Sequence, residues 1–332
     1  MNRAIRQFVV SPRAYRFLLD LVPRGVTRDG IVIEQHLREG RFQRSLAVLT
    51  AFSALLSGLE VLYEHYRGSY SQRVMYSPVL LSPLLAVAGI WGALDRRAAR
   101  TVLPIASVLT LINGLVGLGF HIRGIARKPG GWRLPVFNLV MGPPLLAPVL
   151  FSLSGYLGLL AAALRREDSP TTGLELPRAR WAAFLPGSLR GEGLALDQRI
   201  REGRFQKQLA VVAALSALFS GFEALYSHYK NNFRYPAQWT PVVLTPLIAF
   251  AGFGTLWSPR LARTLLPLAS ALAMLDGGIG FFYHARGALR RPGGYRLPLY
   301  NLIYGPPIFA PLLFAASGFL GLLASLLRRA ER

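Results

Sequence analysis

Long apolar blocks separated by short polar stretches run through the chain, and they fall into two sets of four. The first set covers roughly 45–64, 77–94, 102–121 and 143–164. The second covers roughly 208–227, 240–257, 265–284 and 306–327. A helix of about 20 apolar residues, with a range of about 17–25, crosses the hydrocarbon core of a bilayer. Each block fits that span, so the pattern predicts eight transmembrane helices. Pro78, Pro143 and Pro144 stand near block starts, where a missing N–H costs little. Pro83 and Pro246 lie deeper and predict a kink or a late helix start. Gly114 and Gly117, with Gly277 and Gly280, give the third block of each set a small-residue face for close helix packing.

The two sets are copies of one another. REGRFQ at 38–43 returns at 201–206, and this one offset of 163 residues aligns the halves without a gap. Glu60 falls on Glu223, His65 on His228, His121 on His284, and Asn138 on Asn301. Proline-Gly-Gly at 129–131 falls on 292–294, and Gly-Pro-Pro at 142–144 on 305–307. About half of the paired positions between 38 and 166 are identical. The expected organisation is a first repeat over 1–166, a polar linker over 167–180 and a second repeat over 181–332. The fold class expected is all-α: a polytopic integral membrane protein of eight transmembrane helices, built as two parallel tandem four-helix repeats. An even number of spans per copy gives both copies one orientation, related by an axis along the membrane normal.

Composition agrees with lipid as the solvent. Of 332 residues 52% are hydrophobic and only 16% charged, against about 25% in an ordinary soluble domain. The formal net charge of +22 would suggest nucleic acid in a soluble chain. Here the basic residues sit at the ends of apolar blocks, so anionic headgroups are the expected partner and nucleic acid is not. The side that holds both termini carries 26 Lys and Arg and the other side 12. By the positive-inside rule the termini are expected in the cytoplasm, with the chain in the cell inner membrane. Residues 1–25 have no signal-peptide core and read as a retained segment with an amphipathic piece at the interface. The REGRFQ segment reads likewise as interfacial, its Arg residues suiting anionic lipid.

The absence of Cys excludes disulfides, thiolate metal sites and Cys-linked haem. No phosphate-binding GxxxxGK[ST], no HExxH and no GxSxG occurs, so neither ATP-driven transport nor hydrolysis by a familiar machinery is expected. What remains is a recurrent set of ionisable residues. His65 and His228 end the first block of each copy, His121 and His284 the third, and Glu60 and Glu223 lie inside the first. Ionisable groups within a span point to function by default. Two His and one carboxylate per copy suit a transition metal, Zn or non-haem Fe, and two His alone suit haem b, with Arg123 and Arg286 pairing its propionates. Five residues on a straight helix turn through about 140°, so Glu60 and His65 cannot face one ion unless the helix end unwinds. His at a helix end also complements the helix dipole without any ligand.

The function expected first is a membrane-embedded metal- or haem-binding protein, a redox or electron-transfer subunit with two Glu/His/His sites near the outer face and an extracytoplasmic or membrane partner. The alternative of another class is a secondary transporter or channel using buried Glu60 and Glu223 for proton coupling. A structural anchor of a larger membrane complex is the third.

Overall fold

The computed structural model describes residues 32–169 and 187–327. The expected interfacial segment at the start of the chain and most of the expected linker lie outside the described residues. Among these residues the fold is all-α. The main helices are α1 (Gln43–Arg67), α2 (Ser77–Leu94), α3 (Val102–Ala126), α4 (Ala147–Ala163), α5 (Gln206–Lys230), α6 (Thr240–Gly254), α7 (Leu265–Leu289) and α8 (Ala310–Leu326). Six of them are long and apolar enough to cross a membrane, counting the turn that leads into α2 and into α6. The other two, α4 and α8, are apolar helices of 17 residues each. This is the make-up of a multi-pass membrane protein.

The order of elements over 43–163 recurs over 206–326. Shifting α1, α3 and α4 by 163 residues reproduces their counterparts, the helix Pro298–Tyr304 runs one residue beyond the shifted Pro135–Val140, and α6 stops three residues short of the shifted α2. In each half the first helix packs on the second and fourth, and the third on the fourth and second, closing a four-helix ring. The halves meet where α4 lies against α5 and α8 against α1.

Helix ends differ from the sequence expectation in informative ways. Pro83 and Pro246 do not delay their helices, since α2 and α6 run through them. The third helices continue past their His to Ala126 and Leu289, so His121 and His284 lie more than a turn inside. The fourth block does not start as one helix. A short helix, Pro135–Val140 or Pro298–Tyr304, is followed by a non-helical Gly-Pro-Pro stretch, and only then does α4 or α8 begin. Consecutive prolines lack N–H donors and hold the preceding residue out of the helical region, so the helix breaks there. Asn138 and Asn301 staple the loop before the break, donating to the Pro129 and Gly131 carbonyls and to those of Pro292 and Gly294.

Close approach needs small residues, as expected of packing in lipid. A Cβ on Gly155 of α4 would stand 2.5 Å from the Ser107 carbonyl oxygen of α3, and one on Gly318 of α8 would stand 2.5 Å from that of Ser270.

The repeated REGRFQ stretch forms a contact between the halves. Gly40 and Gly203 hold φ near +67° and +69°, a left-handed conformation that favours glycine. Each backs onto the other's segment, and Phe42 and Phe205, both buried, stack with ring centroids 6.3 Å apart. The aromatic pair is therefore core, and this part of the segment does not face lipid as expected. The first residues of the expected linker are also structural. The Glu167 carboxylate accepts the Arg44 and Ser45 N–H groups and the Ser45 hydroxyl, which caps α1.

Candidate functional site at the broken fourth helices

The His and Glu residues named from the sequence converge on the Gly-Pro-Pro breaks, but not as one ligand set. His121 Nδ1 lies 2.6 Å from the Pro144 carbonyl oxygen, and His284 Nδ1 lies 2.6 Å from that of Pro307. His65 Nδ1 lies 2.8 Å from the Met75 carbonyl oxygen, and His228 Nδ1 lies 2.8 Å from that of Gln238. A carbonyl only accepts, so Nδ1 carries the proton in all four, and in the neutral ring Nε2 is left as the bare nitrogen. Each His therefore ties its own helix to the approach to the next.

Within each half the two His are neighbours. The rings of His228 and His284 lie 6.5 Å apart, nearly perpendicular at 74°. His65 and His121 are close enough to interact electrostatically. Glu60 and Glu223 do not join them. Among the described residues no group of three or more His, Cys, Asp or Glu is arranged to hold a metal ion. The reason is the one the helical projection gives: α1 and α5 stay helical through His65 and His228, which leaves Glu and His on different faces.

The carboxylates face the opposite half. Glu223 Oε1 accepts the backbone N–H of Leu146, the residue that opens α4, at 2.9 Å. Glu223 Oε2 accepts the Tyr226 hydroxyl at 2.5 Å. Glu60 stands in the mirrored position, with the Phe309 N–H at the start of α8 and the Tyr63 hydroxyl facing it. There, however, Glu60 Oε2 and Tyr63 Oη are both enclosed without a hydrogen-bond partner. The broken backbone leaves free N–H groups at the N-terminus of α4 and α8, and the helix dipole adds a positive field, so a carboxylate is the natural partner.

Two chains of contacts thus cross between the halves. One runs from the His65–His121 pair through Pro144 and Leu146 to Glu223 and Tyr226. The other runs from His228–His284 through Pro307 and Phe309 to Glu60 and Tyr63.

A polar stripe on α1 and α5 escaped the sequence reading. Ser53, Ser57, Glu60 and Glu64 follow the spacing i, i+4, i+7, i+11, which places them on one helix face. Ser216, Ser220, Glu223 and Ser227 repeat it. The Ser53 hydroxyl pairs with that of Ser154, and Ser216 with Ser317, each at 2.7 Å. The signal was present as a heptad-like polar spacing inside an apolar block. Glu64 pairs with Arg67 at 3.0 Å and lies near Glu223 of the other half.

The remaining expected residues, Arg123 and Arg286, sit apart, exposed on the last turns of α3 and α7. Asn113 donates to the Ser77 hydroxyl at 2.7 Å, and Asp276 meets the Thr240 hydroxyl at 2.5 Å, so this pair fastens α3 to α2 and α7 to α6.

No protein family, curated protein or solved structure matches the chain.

Proposed function

We propose that the chain is an inner-membrane protein whose halves are parallel four-helix repeats, giving eight spans with both termini in the cytoplasm. We infer further that it is a secondary transporter or channel in which Glu60 and Glu223 handle protons. The observation that carries this reading is the bond from Leu146 to Glu223, a buried carboxylate of one half held by the broken fourth helix of the other. Half-helix N-termini aimed at a charge beside a repeat interface are the construction from which many secondary transporters build their sites. When ionised, Glu223 is drawn to the helix end. A proton on it weakens that attraction, and with it the grip of one half on the other. A coupling ion needs such a difference in binding between two arrangements. The Ser-lined stripe supplies hydroxyls at depths where lipid supplies none.

The test uses purified protein in lipid vesicles holding a trapped pH indicator dye. A potassium diffusion potential, negative inside, should draw protons in faster than into protein-free vesicles. Glu60→Gln should bring the rate to the protein-free level. Folded, inserted protein that passes no more protons than bare vesicles would overturn the reading.

The four Nδ1 bonds favour a second reading. Metal-bound His characteristically donates its other ring nitrogen to a carbonyl, which orients the ring and bares the ligating nitrogen. Each pair, His65 with His121 or His228 with His284, would then bind Fe, Zn or haem b, with the further positions taken by water or an external ligand. Near-stoichiometric metal or a Soret band in purified protein supports it. Colourless, metal-free protein that takes up neither zinc nor haem excludes it.

A further inference from the structure

We infer that Asp276 of α7 stands as a carboxylic acid and, with the Thr240 hydroxyl of α6, forms a proton-binding site in the middle of the span. The inference goes beyond the roles given to Glu60 and Glu223 and does not rest on them.

The first half shows how the site is wired. The Asn113 amide donates to Ser77 Oγ at 2.7 Å, and the Ser77 hydroxyl donates to the Val74 carbonyl at 2.7 Å. At the 163-residue offset Asp276 replaces Asn113, Thr240 replaces Ser77 and Ala237 replaces Val74. The oxygens keep their places: Thr240 Oγ1 is 2.8 Å from the Ala237 carbonyl and 2.5 Å from Asp276 Oδ1. A hydroxyl has one proton to give, and a carboxylate has none. Were Asp276 ionised, that proton would lie toward it, and the Thr240 and Ala237 oxygens would face each other at hydrogen-bond distance with no proton between them. A carboxylic acid removes the conflict. Asp276 donates to Thr240, and Thr240 donates to Ala237, as Asn113 and Ser77 do.

The surroundings favour the same form. Asp276 is the twelfth of the 25 residues of α7. Leu272 and Ile279, a turn away on either side along the same face, are exposed apolar side chains, so lipid covers the site from outside. The helices packed on α7 at this level, α6 and α8, carry no ionisable residue. Arg260 and Arg263 lie in the short helix before α7, and Tyr283, His284, Arg286 and Arg296 lie toward its other end. None of them pairs with Asp276. A carboxylate in hydrocarbon without a counter-charge takes up a proton rather than stay ionised. Release would pass the proton to water. The Thr240 hydroxyl would then turn to Asp276, while the Ala237 carbonyl keeps the Thr240 N–H as a donor. Binding reverses both changes, so the site has a bonded arrangement with and without its proton.

The experiment compares infrared spectra of the whole protein in lipid at neutral pH. Subtracting the Asp276→Asn spectrum from that of the unaltered protein should leave one carboxylic-acid C=O band. The variant should fold, because Asn113 fills the equivalent place in the first half. Asn113→Asp should add a second band of similar size, since the Ser77 proton is already given to Val74. Carboxylate bands in place of the acid band, in either subtraction, would overturn the proposal. A measurement on the unaltered protein needs no variant to fold. The apolar reagent dicyclohexylcarbodiimide attacks protonated carboxyl groups and leaves an N-acylurea that mass spectrometry locates. Asp276 should be labelled at neutral pH, and its rate should fall at least about tenfold in alkali as the proton is lost. An unlabelled Asp276 in protein shown folded by its helical circular dichroism would overturn the proposal, and so would a rate that does not change with pH.

Discussion

Glu223 Oε1 and the backbone N–H of Leu146, 2.9 Å apart, join the two halves of the chain at the point where α4 starts. The bond satisfies a donor that the Gly-Pro-Pro break leaves without an intrahelical acceptor. Its removal is the first prediction. Glu223→Ala should destabilise the protein by about 1–3 kcal/mol, because the Leu146 N–H and the Tyr226 hydroxyl both lose their acceptor. Glu223→Gln keeps an amide oxygen for the Leu146 N–H and should cost less. Thermal unfolding in detergent, followed by circular dichroism, orders the two. An alanine variant as stable as the parent would mean that the bond carries no weight.

The place of each main helix was legible in the apolar blocks, though not its ends, because lipid demands one residue type over a fixed length. The 163-residue offset gave the correspondence of elements for the same reason. The site was only half legible. Sequence spacing brings His65 near His121 by placing both toward helix ends at one level. It cannot say that Glu60 looks across to Phe309, since that depends on which face of α1 meets the other half. Glu60 and His65, five residues apart, point to different sides of α1, which remains helical past both. The break before α4 was hidden because Pro143 and Pro144 suit a helix start as well as they suit a gap.

Helix contact in each half depends on Gly155 and Gly318. Gly155→Leu would force α4 off α3, since even a Cβ would stand 2.5 Å from the Ser107 oxygen. Overpacking of this kind costs about 1–3 kcal/mol and more when backbone must move. Gly119→Ala is the matched control, because nothing lies within 4 Å of its added Cβ. That change should be neutral or stabilise by up to about 1 kcal/mol through helix propensity. Unfolding temperatures in detergent should fall for the first and hold or rise for the second.

Gly40 and Phe42 form the second junction between the halves. Gly40→Ala should destabilise on two counts, a left-handed φ and the Arg201 carbonyl behind it. Phe42→Ala removes a buried ring stacked on Phe205 and should cost about 3–5 kcal/mol. Were the segment a lipid-facing surface, both changes would be near neutral and Phe42→Ala would instead weaken partition into anionic vesicles. Melting temperature and vesicle binding, measured on the same samples, separate the two roles.

The parallel arrangement of the repeats makes a prediction that the absence of cysteine lets experiment read cleanly, since any introduced thiol is the only one in the chain. Gly68 and Asn231 follow the ends of α1 and α5, both are exposed, and they are equivalent at the 163-residue offset. Arg97 and Arg260 are exposed in the short helices before α3 and α7. With parallel repeats and cytoplasmic termini, Gly68→Cys and Asn231→Cys should both react with a membrane-impermeant maleimide in cells whose outer barrier has been opened. Arg97→Cys and Arg260→Cys should react only after the inner membrane is breached. An inverted arrangement would give opposite results for Gly68 and Asn231. Parallel repeats with the termini outside would reverse all four. The charge count alone sets the side, because 26 basic residues against 12 favours retention of the terminal side in the cytoplasm. The relation between Gly68 and Asn231 does not depend on that count. It follows from the crossings that lie between the two residues, α2 to α5, so they must share a side if α4 crosses, as its counterpart α8 would. The 17 residues of either helix, at about 1.5 Å each, span about 25 Å, short for a bilayer of about 30 Å unless the non-helical Gly-Pro-Pro stretch carries the chain the rest of the way. Matching labels at Gly68 and Asn231 would therefore establish that the broken helix completes a span.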